Sequence, residues 1–539
     1  MDQEVVVEDI NRALQANDLP RAVDMAQSAV ADGLRYPLLF NLAAHGLELR
    51  HDYDGAIALL EKGLALTPDD VDMLTALGLC QNKLGRAPQA QAAFDAVLSA
   101  RPDFAPAHHG KAAALERLGD LDGARRHHAT AMHLMPGYAD PIGSLASPSA
   151  RAGDTENARA LATKALAIDS SQVNARVVMA GLALGERDFA GAEAASRALI
   201  ANPSIDPLDR ALCEIMLGDA LDGEARIDEA FDAYVAGNAE FRRVHASQYE
   251  GPGVESYVDF ARRLGSWFEN LPESEWRPQG DSEGPARAHV FLLGFFRSGT
   301  TLLENVLAGH PDVVALDERD TLRSAMAEFL ADDAGLNQLA ALTPELADPQ
   351  REAYWRRVGE FGVDPAGKVF VDKMPIYTSQ LALINALFPR AKILFAVRDP
   401  RDVVLSCFRR AFQINPATFQ LTTLEDTARL YDAVMRLGML FRERLSLDLM
   451  EVRYEAMVED FAARSGEIAH FLNLEWDDKM RAFAETAQGR TVRTPSGKQL
   501  ARGLYSGAGQ WRPYARNLEP ILPILQPWIE RFGYDKTRA

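Results

Sequence analysis

Two short basic motifs hold the residue types and spacings most able to do chemistry. The first is Gly294-Phe295-Phe296-Arg297-Ser298-Gly299-Thr300-Thr301. Glycines at this spacing let consecutive backbone N–H groups wrap an anion at a helix N-terminus. In a nucleoside triphosphatase the residue after the second glycine is a lysine that reaches the terminal phosphates. Here it is Thr300, so a nucleotide kinase or triphosphatase would lack its central cation. Arg297 inside the loop and the hydroxyls of Thr300 and Thr301 stand in its place. The second motif is Val397-Arg398-Asp399-Pro400-Arg401-Asp402, with Ser406 and Arg410 eight and twelve residues past Arg398. If 401–412 is a helix, Ser406 and Arg410 share a face and clasp one phosphate together with Arg398. Two separated anion sites imply a ligand with phosphate at both ends.

These side chains need strands to end at and helices to start from. Apolar runs at 289–293, 368–371, 393–397 and 449–452 read as strands, and 300–308, 379–387 and 401–412 read as helices. The alternation predicts a P-loop-like α/β domain with a parallel sheet over 286–539. Arg398 then stands at the C-terminal edge of a buried strand, where open sheets bind ligands.

The first half of the chain has a different rhythm. Ala22, Ala56, Ala90, Ala124, Ala158 and Ala192 are each 34 residues apart, and Pro68, Pro102, Pro136 and Gly85, Gly119, Gly153 keep the same step. A small residue lets paired helices approach, residues such as Leu77 and Phe94 fill the gap between them, and glycine suits the turn. The period resembles the tetratricopeptide repeat over about residues 3–240, with a seventh unit at Ala230 that comes four residues late. The resemblance implies an all-α solenoid over 1–245. Such arrays hold an extended peptide or partner, or serve as a scaffold or arm for a homodimer. The pairs His108-His109 and His127-His128 lack the spacing of a helical metal site and read as hairpin-surface histidines. A polar connector at 246–285, with a helix near 257–268, joins the two parts.

Composition narrows the class of function. With 47% hydrophobic and 25% charged residues the chain reads as folded rather than disordered. A formal charge of −20 repels nucleic acid and anionic lipid, so any anionic ligand needs a locally basic pocket. Cys80, Cys213 and Cys407 are too few and too far apart for a disulfide framework or a thiolate zinc site. With an acidic start at Met1–Asp9 and no bilayer-length apolar run, the sequence reads as cytoplasmic, with no membrane span and no metal.

An R-S-G-T-T loop after a strand, followed by R-D-P-R-D with Ser406 eight past its first arginine, resembles the sulfotransferases that use 3′-phosphoadenosine 5′-phosphosulfate (PAPS). Within that superfamily the chain is most similar to the tyrosylprotein sulfotransferases and to bacterial relatives with N-terminal tetratricopeptide repeats. The resemblance implies that Arg297, Ser298, Gly299, Thr300 and Thr301 hold the 5′-phosphosulfate, and that Arg398, Ser406 and Arg410 hold the 3′-phosphate. It implies that Lys373, in Asp372-Lys373-Met374-Pro375, offsets charge on the leaving oxygen, and that Glu318 is the general base. Tyr454 and Ser496 are implied as further cofactor contacts, Ser496 from a C-terminal lid. His310, the rival base by residue type, precedes Pro311 and reads as a capping or packing histidine. Two departures are Phe295-Phe296, where relatives have Met-Pro or a similar pair, and Gln510, where a basic residue commonly precedes the tryptophan. Either the hold on phosphate is weaker or Lys498 or Arg502 replaces that charge. The expected function is sulfonate transfer from PAPS to an acceptor hydroxyl, with a protein tyrosine, a polysaccharide or a small metabolite all open. The alternative is a solenoid adaptor whose nucleotide-binding domain is catalytically degenerate.

Overall fold

At one position in each helical hairpin an alanine sits where two helices touch. Ala22, Ala56, Ala90, Ala124, Ala158 and Ala192 are all buried in the computed structural model, which describes residues 3–203, 205–272, 276, 284–483 and 507–535. Six hairpins run from Gln3–Gln15 with Leu19–Ala31 to Val173–Glu186 with Phe189–Ile200. Phe94 is fully buried, and a Cβ on Gly78 or Gly110 would come within 2.7 or 2.3 Å of its ring.

The turn inside each hairpin repeats too. Asn17, His51, Gly85, Gly119, Gly153 and Arg187 all have positive φ, between 56° and 88°. The left-handed turn is therefore kept where no glycine supplies it, at a conformational cost to Asn17, His51 and Arg187. The residue after each turn caps the next helix. Asp18, Asp52, Asp120, Asp154 and Asp188 each accept a backbone N–H three residues on, whereas Arg86 makes no side-chain cap bond.

The histidine pairs stack against each other inside the repeat array, with His108 and His128 buried, rather than standing on its surface as the sequence suggests. His108 and His127 approach at 2.8 Å between their Nδ1 atoms, and His109 and His128 at 3.4 Å. Burial pushes His109 and His127 down to about 4. Among the described residues no group of three or more His, Cys, Asp or Glu side chains is placed to hold a metal.

The chain divides into two compact units, Met1–Asp206 and Pro207–Ala539. The seventh hairpin, Pro207–Gly223 with Ile227–Tyr249, thus belongs to the second unit. So does the connector helix Tyr257–Asn270, which packs on the long helix Leu424–Arg444. Phe268 and Phe441 meet edge to face at 5.0 Å, and Arg444 donates to the Phe268 carbonyl at 2.6 Å.

The second unit is built on a parallel five-stranded sheet in the order β2-β3-β1-β4-β5. The strands are β1 (Ala288–Leu293), β2 (Val313–Asp317), β3 (Val369–Lys373), β4 (Lys392–Val397) and β5 (Asp448–Arg453). Val290 and Leu292 on one face of β1 and Phe291 and Leu293 on the other are wholly buried, as expected of strands covered on both faces. β2 is not among the four runs legible in the sequence, because its apolar stretch is short and ends in Asp317. Two helices also differ from expectation. The 379–387 segment begins as a 3₁₀ turn, Pro375–Gln380, and the helix after the second motif is Pro400–Phe408. Ser406 and Arg410 therefore do not share a helical face, since the helix ends two residues before Arg410.

Candidate functional site

The first basic loop is shaped by close backbone approach. Gly294 has φ 150°, and a Cβ there would lie 2.6 Å from the Ala396 carbonyl oxygen. Thr378 Oγ1 closes the same turn, accepting from the Gly294 N–H at 3.0 Å and donating to its carbonyl at 2.6 Å. Gly299, with φ 99°, caps the helix Thr300–Ala308 against the Tyr454 ring. Arg297 between them holds a left-handed φ of 65°. Ser298 Oγ donates back to the Phe295 carbonyl at 2.7 Å. Phe295 and Phe296 turn inward, onto Tyr431 and Phe412 at 5.0 and 5.8 Å.

The second motif meets this loop from β4. Arg398 donates to the carbonyls of Arg297 at 3.1 Å and Gly507 at 2.5 Å, and its guanidinium lies 4.8 Å over the Tyr454 ring. Tyr454 OH in turn accepts the Gly507 N–H at 3.2 Å. Arg297 Nε donates to Ser406 Oγ at 3.0 Å. Arg297, Arg398, Ser406 and Tyr454 thus converge. Arg410 stands close enough to be felt by Arg297, but its guanidinium pairs with Asp219 at 2.7 Å. Burial, then Arg410 and Arg398, push Arg297 down to about 9. The Arg398 Nε is buried and finds no hydrogen-bond partner among the described residues.

The rest of the R-D-P-R-D motif fastens the chain's last segment. Asp399 caps its helix by accepting the Arg401 N–H at 3.0 Å, and Arg401 stacks 3.9 Å over Trp511. Asp402 accepts the N–H groups of Gly509 and Trp511 at 2.7 and 2.8 Å. Burial raises Asp402 to about 6. Ser496, Lys498 and Arg502 lie outside the described residues.

Glu318 and Lys373 come together at the ends of β2 and β3, where Asp317 is in register with Lys373. The Glu318 N–H donates to the Lys373 carbonyl at 2.9 Å, and Glu318 holds a left-handed φ of 44°. Lys373 is wholly buried. Its ammonium meets Asp317, Glu318 at 2.8 Å and Glu304 at 3.5 Å. Burial works against the ammonium charge, yet Glu318, Glu304 and Asp317 outweigh it and raise the pKa above that of an ordinary lysine. Behind them Asp372 accepts the hydroxyls of Thr321 and Tyr354, both at 2.7 Å, and so holds the loop that carries Glu318. Burial raises Asp372 to about 7. His310 spends both ring nitrogens on backbone, at Asp312 N–H and the Glu475 carbonyl, each at 3.0 Å. Sequence reading did not single out Glu304, Asp317, Asp372 or Asp402 as site residues. Asp317, Asp372 and Asp402 stand in the same motifs as Glu318, Lys373 and Arg398, whereas Glu304 carries no local signal.

With this geometry in hand, the sulfotransferase family model matches residues 289–478. That span is sulfotransferase-like in sequence. It contains the loop, Glu318, Lys373, Arg398, Ser406, Arg410 and Tyr454. A tetratricopeptide-repeat model matches residues 48–115. An uncharacterized protein of Aquifex aeolicus is 23% identical over 74% of this chain and 52% of its own length. Protein-tyrosine sulfotransferase 1 of Danio rerio is 26% identical over 46% of this chain and 72% of its own. Its Homo sapiens namesake is 30% identical over 25% of this chain and 38% of its own. The chain spans about half the length of the Aquifex relative.

Proposed function

We propose that the second unit is a sulfotransferase that takes sulfonate from PAPS and delivers it to an acceptor hydroxyl. The observation that carries this reading is the convergence of Arg297, Arg398, Ser406 and Tyr454 beside a glycine loop that opens the helix Thr300–Ala308, an arrangement suited to an anion. The unpartnered Arg398 Nε fits the same conclusion, since a buried donor of this kind is expensive unless bonded. The loop amides from Arg297 to Thr301, with the two threonine hydroxyls, would bind the 5′-phosphosulfate. Arg398 and Ser406, helped by Arg410, Tyr454 and Ser496, would bind the 3′-phosphate. A negatively charged ligand of this size at a helix N-terminus is favoured by the helix dipole as well.

When bound, the donor supplies an activated sulfonate. The chain's own task is to place the acceptor, take its proton and stabilise charge. Glu318 is the proposed base, its carboxylate accepting the acceptor hydroxyl's proton. Lys373 orients Glu318 through the 2.8 Å contact. Of its three carboxylate partners Glu318 is the most exposed, at 31%, so that contact is the one a substrate can exchange. The Lys373 ammonium then stands ready for charge on the leaving oxygen. No metal enters this reading.

The names of the relatives favour a protein tyrosine as acceptor, with the repeats binding acceptor or partner. A cytoplasmic location is part of the proposal, in keeping with three free, buried cysteines. No helix among the described residues is long and apolar enough to cross a membrane. Calorimetric titration with 3′,5′-adenosine bisphosphate, run beside ATP with magnesium, tests the donor site. Tight binding of the bisphosphate with little of ATP is expected. Binding of neither overturns the reading in favour of a degenerate domain on a solenoid adaptor.

A further inference from the structure

The seventh hairpin looks like one more repeat in sequence, yet its polar side chains converge on one end of the basic cluster. Asn238, itself buried, donates to the carbonyl of Phe408 at 2.7 Å, the last residue of the helix that bears Ser406. Asp222 accepts Arg409 and the Tyr514 hydroxyl, each at 2.5 Å. The Arg409 guanidinium lies over the rings of Tyr234 and Tyr514, at 5.2 and 5.0 Å. Asp219 accepts Arg410 at 2.7 Å and the Tyr234 hydroxyl at 2.9 Å.

Two separate stretches of chain are gripped in this way. One is the C-terminal end of the Ser406 helix. The other is the 507–514 segment, whose Gly507 carbonyl receives Arg398 and whose Gly509 and Trp511 N–H groups bind Asp402. Asp222 bonds to both stretches at once. A hairpin that only extended a solenoid would have no need to bury Arg409 or to offer carboxylates to Arg409 and Arg410, because a buried cation is costly unless paired.

We propose that the hairpin 207–249 is a positioning element of the 3′-phosphate site, with Asp222 as its central positioning residue. It locks the Ser406 helix to the 507–514 segment so that Arg398 and Ser406 keep a fixed spacing, and Asp219 sets the direction of Arg410. The last repeat-like unit thereby serves nucleotide recognition rather than partner binding. This inference rests on the proposed reading in which Arg398 and Ser406 receive the 3′-phosphate.

The test compares two ligands on the full-length protein. 3′,5′-Adenosine bisphosphate engages both ends of the site, and adenosine 5′-monophosphate only the glycine loop. Asp222→Asn is expected to weaken bisphosphate binding at least tenfold while leaving monophosphate binding within twofold. Tyr514→Phe, which removes one hydroxyl and keeps the ring, is expected to weaken the bisphosphate at least threefold with the same selectivity, and it decides the matter if Asp222→Asn does not fold. Equal losses for both ligands, or no loss for either, overturn the inference and leave the hairpin a merely structural piece. A wild-type protein that gains nothing from the 3′-phosphate overturns the parent reading, and this inference with it.

Discussion

Arg297 and Arg398 meet in one place but reach it by different routes, one from a loop with a left-handed residue and one from a strand end. On the proposed reading each would give a charged hydrogen bond to phosphate worth roughly 1.5–3 kcal/mol, so Arg297→Ala and Arg398→Ala should each weaken adenosine bisphosphate about tenfold to a hundredfold by calorimetry. Glu318→Gln should leave that affinity in place and abolish turnover; a variant that still turns over would require another base. Lys373 poses a different problem. Lys373→Ala strands three carboxylates around a buried void and should cost roughly 3–5 kcal/mol in a urea melt. Asp372 titrates in the opposite sense to a salt-bridged acid. Its pKa is raised by burial to about 7, above the unfolded value of about 4. The folded state therefore binds the proton more readily, and wild-type stability from this group falls as pH rises from about 4 to 7. The melting temperature of Asp372→Asn relative to wild type should climb across that window, and a flat difference would mean Asp372 is ionised throughout.

At the scale of elements, the repeats show how a period survives loss of its usual residues. The left-handed turn at Arg187 and His51 is imposed by the helices on either side, which must reverse in two and four residues respectively whether or not glycine is present. Arg187→Gly should then stabilise the first unit by up to about 1 kcal/mol, read from the midpoint of its urea transition. Arg86 is the one N-cap in the aspartate series that makes no side-chain bond. Arg86→Asp should add about 1 kcal/mol by the same measurement, less the small value of its exposed pair with Asp54. In the second unit the short helix Pro400–Phe408 has its two ends engaged for different purposes. Its start, through Asp399 and Asp402, fastens the C-terminal segment, and its end, through Phe408 and Arg409, is held by the 207–249 hairpin.

At the scale of the whole molecule, a net charge of −20 contrasts with the local convergence of Arg297 and Arg398. Such a protein discriminates by local structure rather than by its overall field. A bound ligand stabilises only the unit that holds it. Adenosine bisphosphate at 100 times its Kd should add about 2.7 kcal/mol to the second unit. Hydrogen exchange should show new protection at 400–410 and at 207–249 together, and none over 3–203. Protection that stops at residue 250 would contradict the placement of the hairpin within the ligand-binding unit.

The sequence alone determined what depends on local pattern. The β1 loop with its glycines and the R-D-P-R-D motif after β4 are each set by residues a few positions apart, and the repeat period by a regular step of 34, so all three are legible in the sequence. The shared helical face that the spacing of Ser406 and Arg410 predicts is absent, because the helix stops at Phe408, where the contact to Asn238 comes from 170 positions earlier. β2 went unread because its burial comes from pairing with β3 rather than from a long apolar run. The three carboxylates around Lys373, the support of Glu318 by Asp372 and Thr321, and the grip of Asp219 and Asp222 on Arg410 and Arg409 all join residues dozens to hundreds of positions apart. Only tertiary structure decided these, since a charge can choose its partner only after folding has set which groups are buried together and cut off from water.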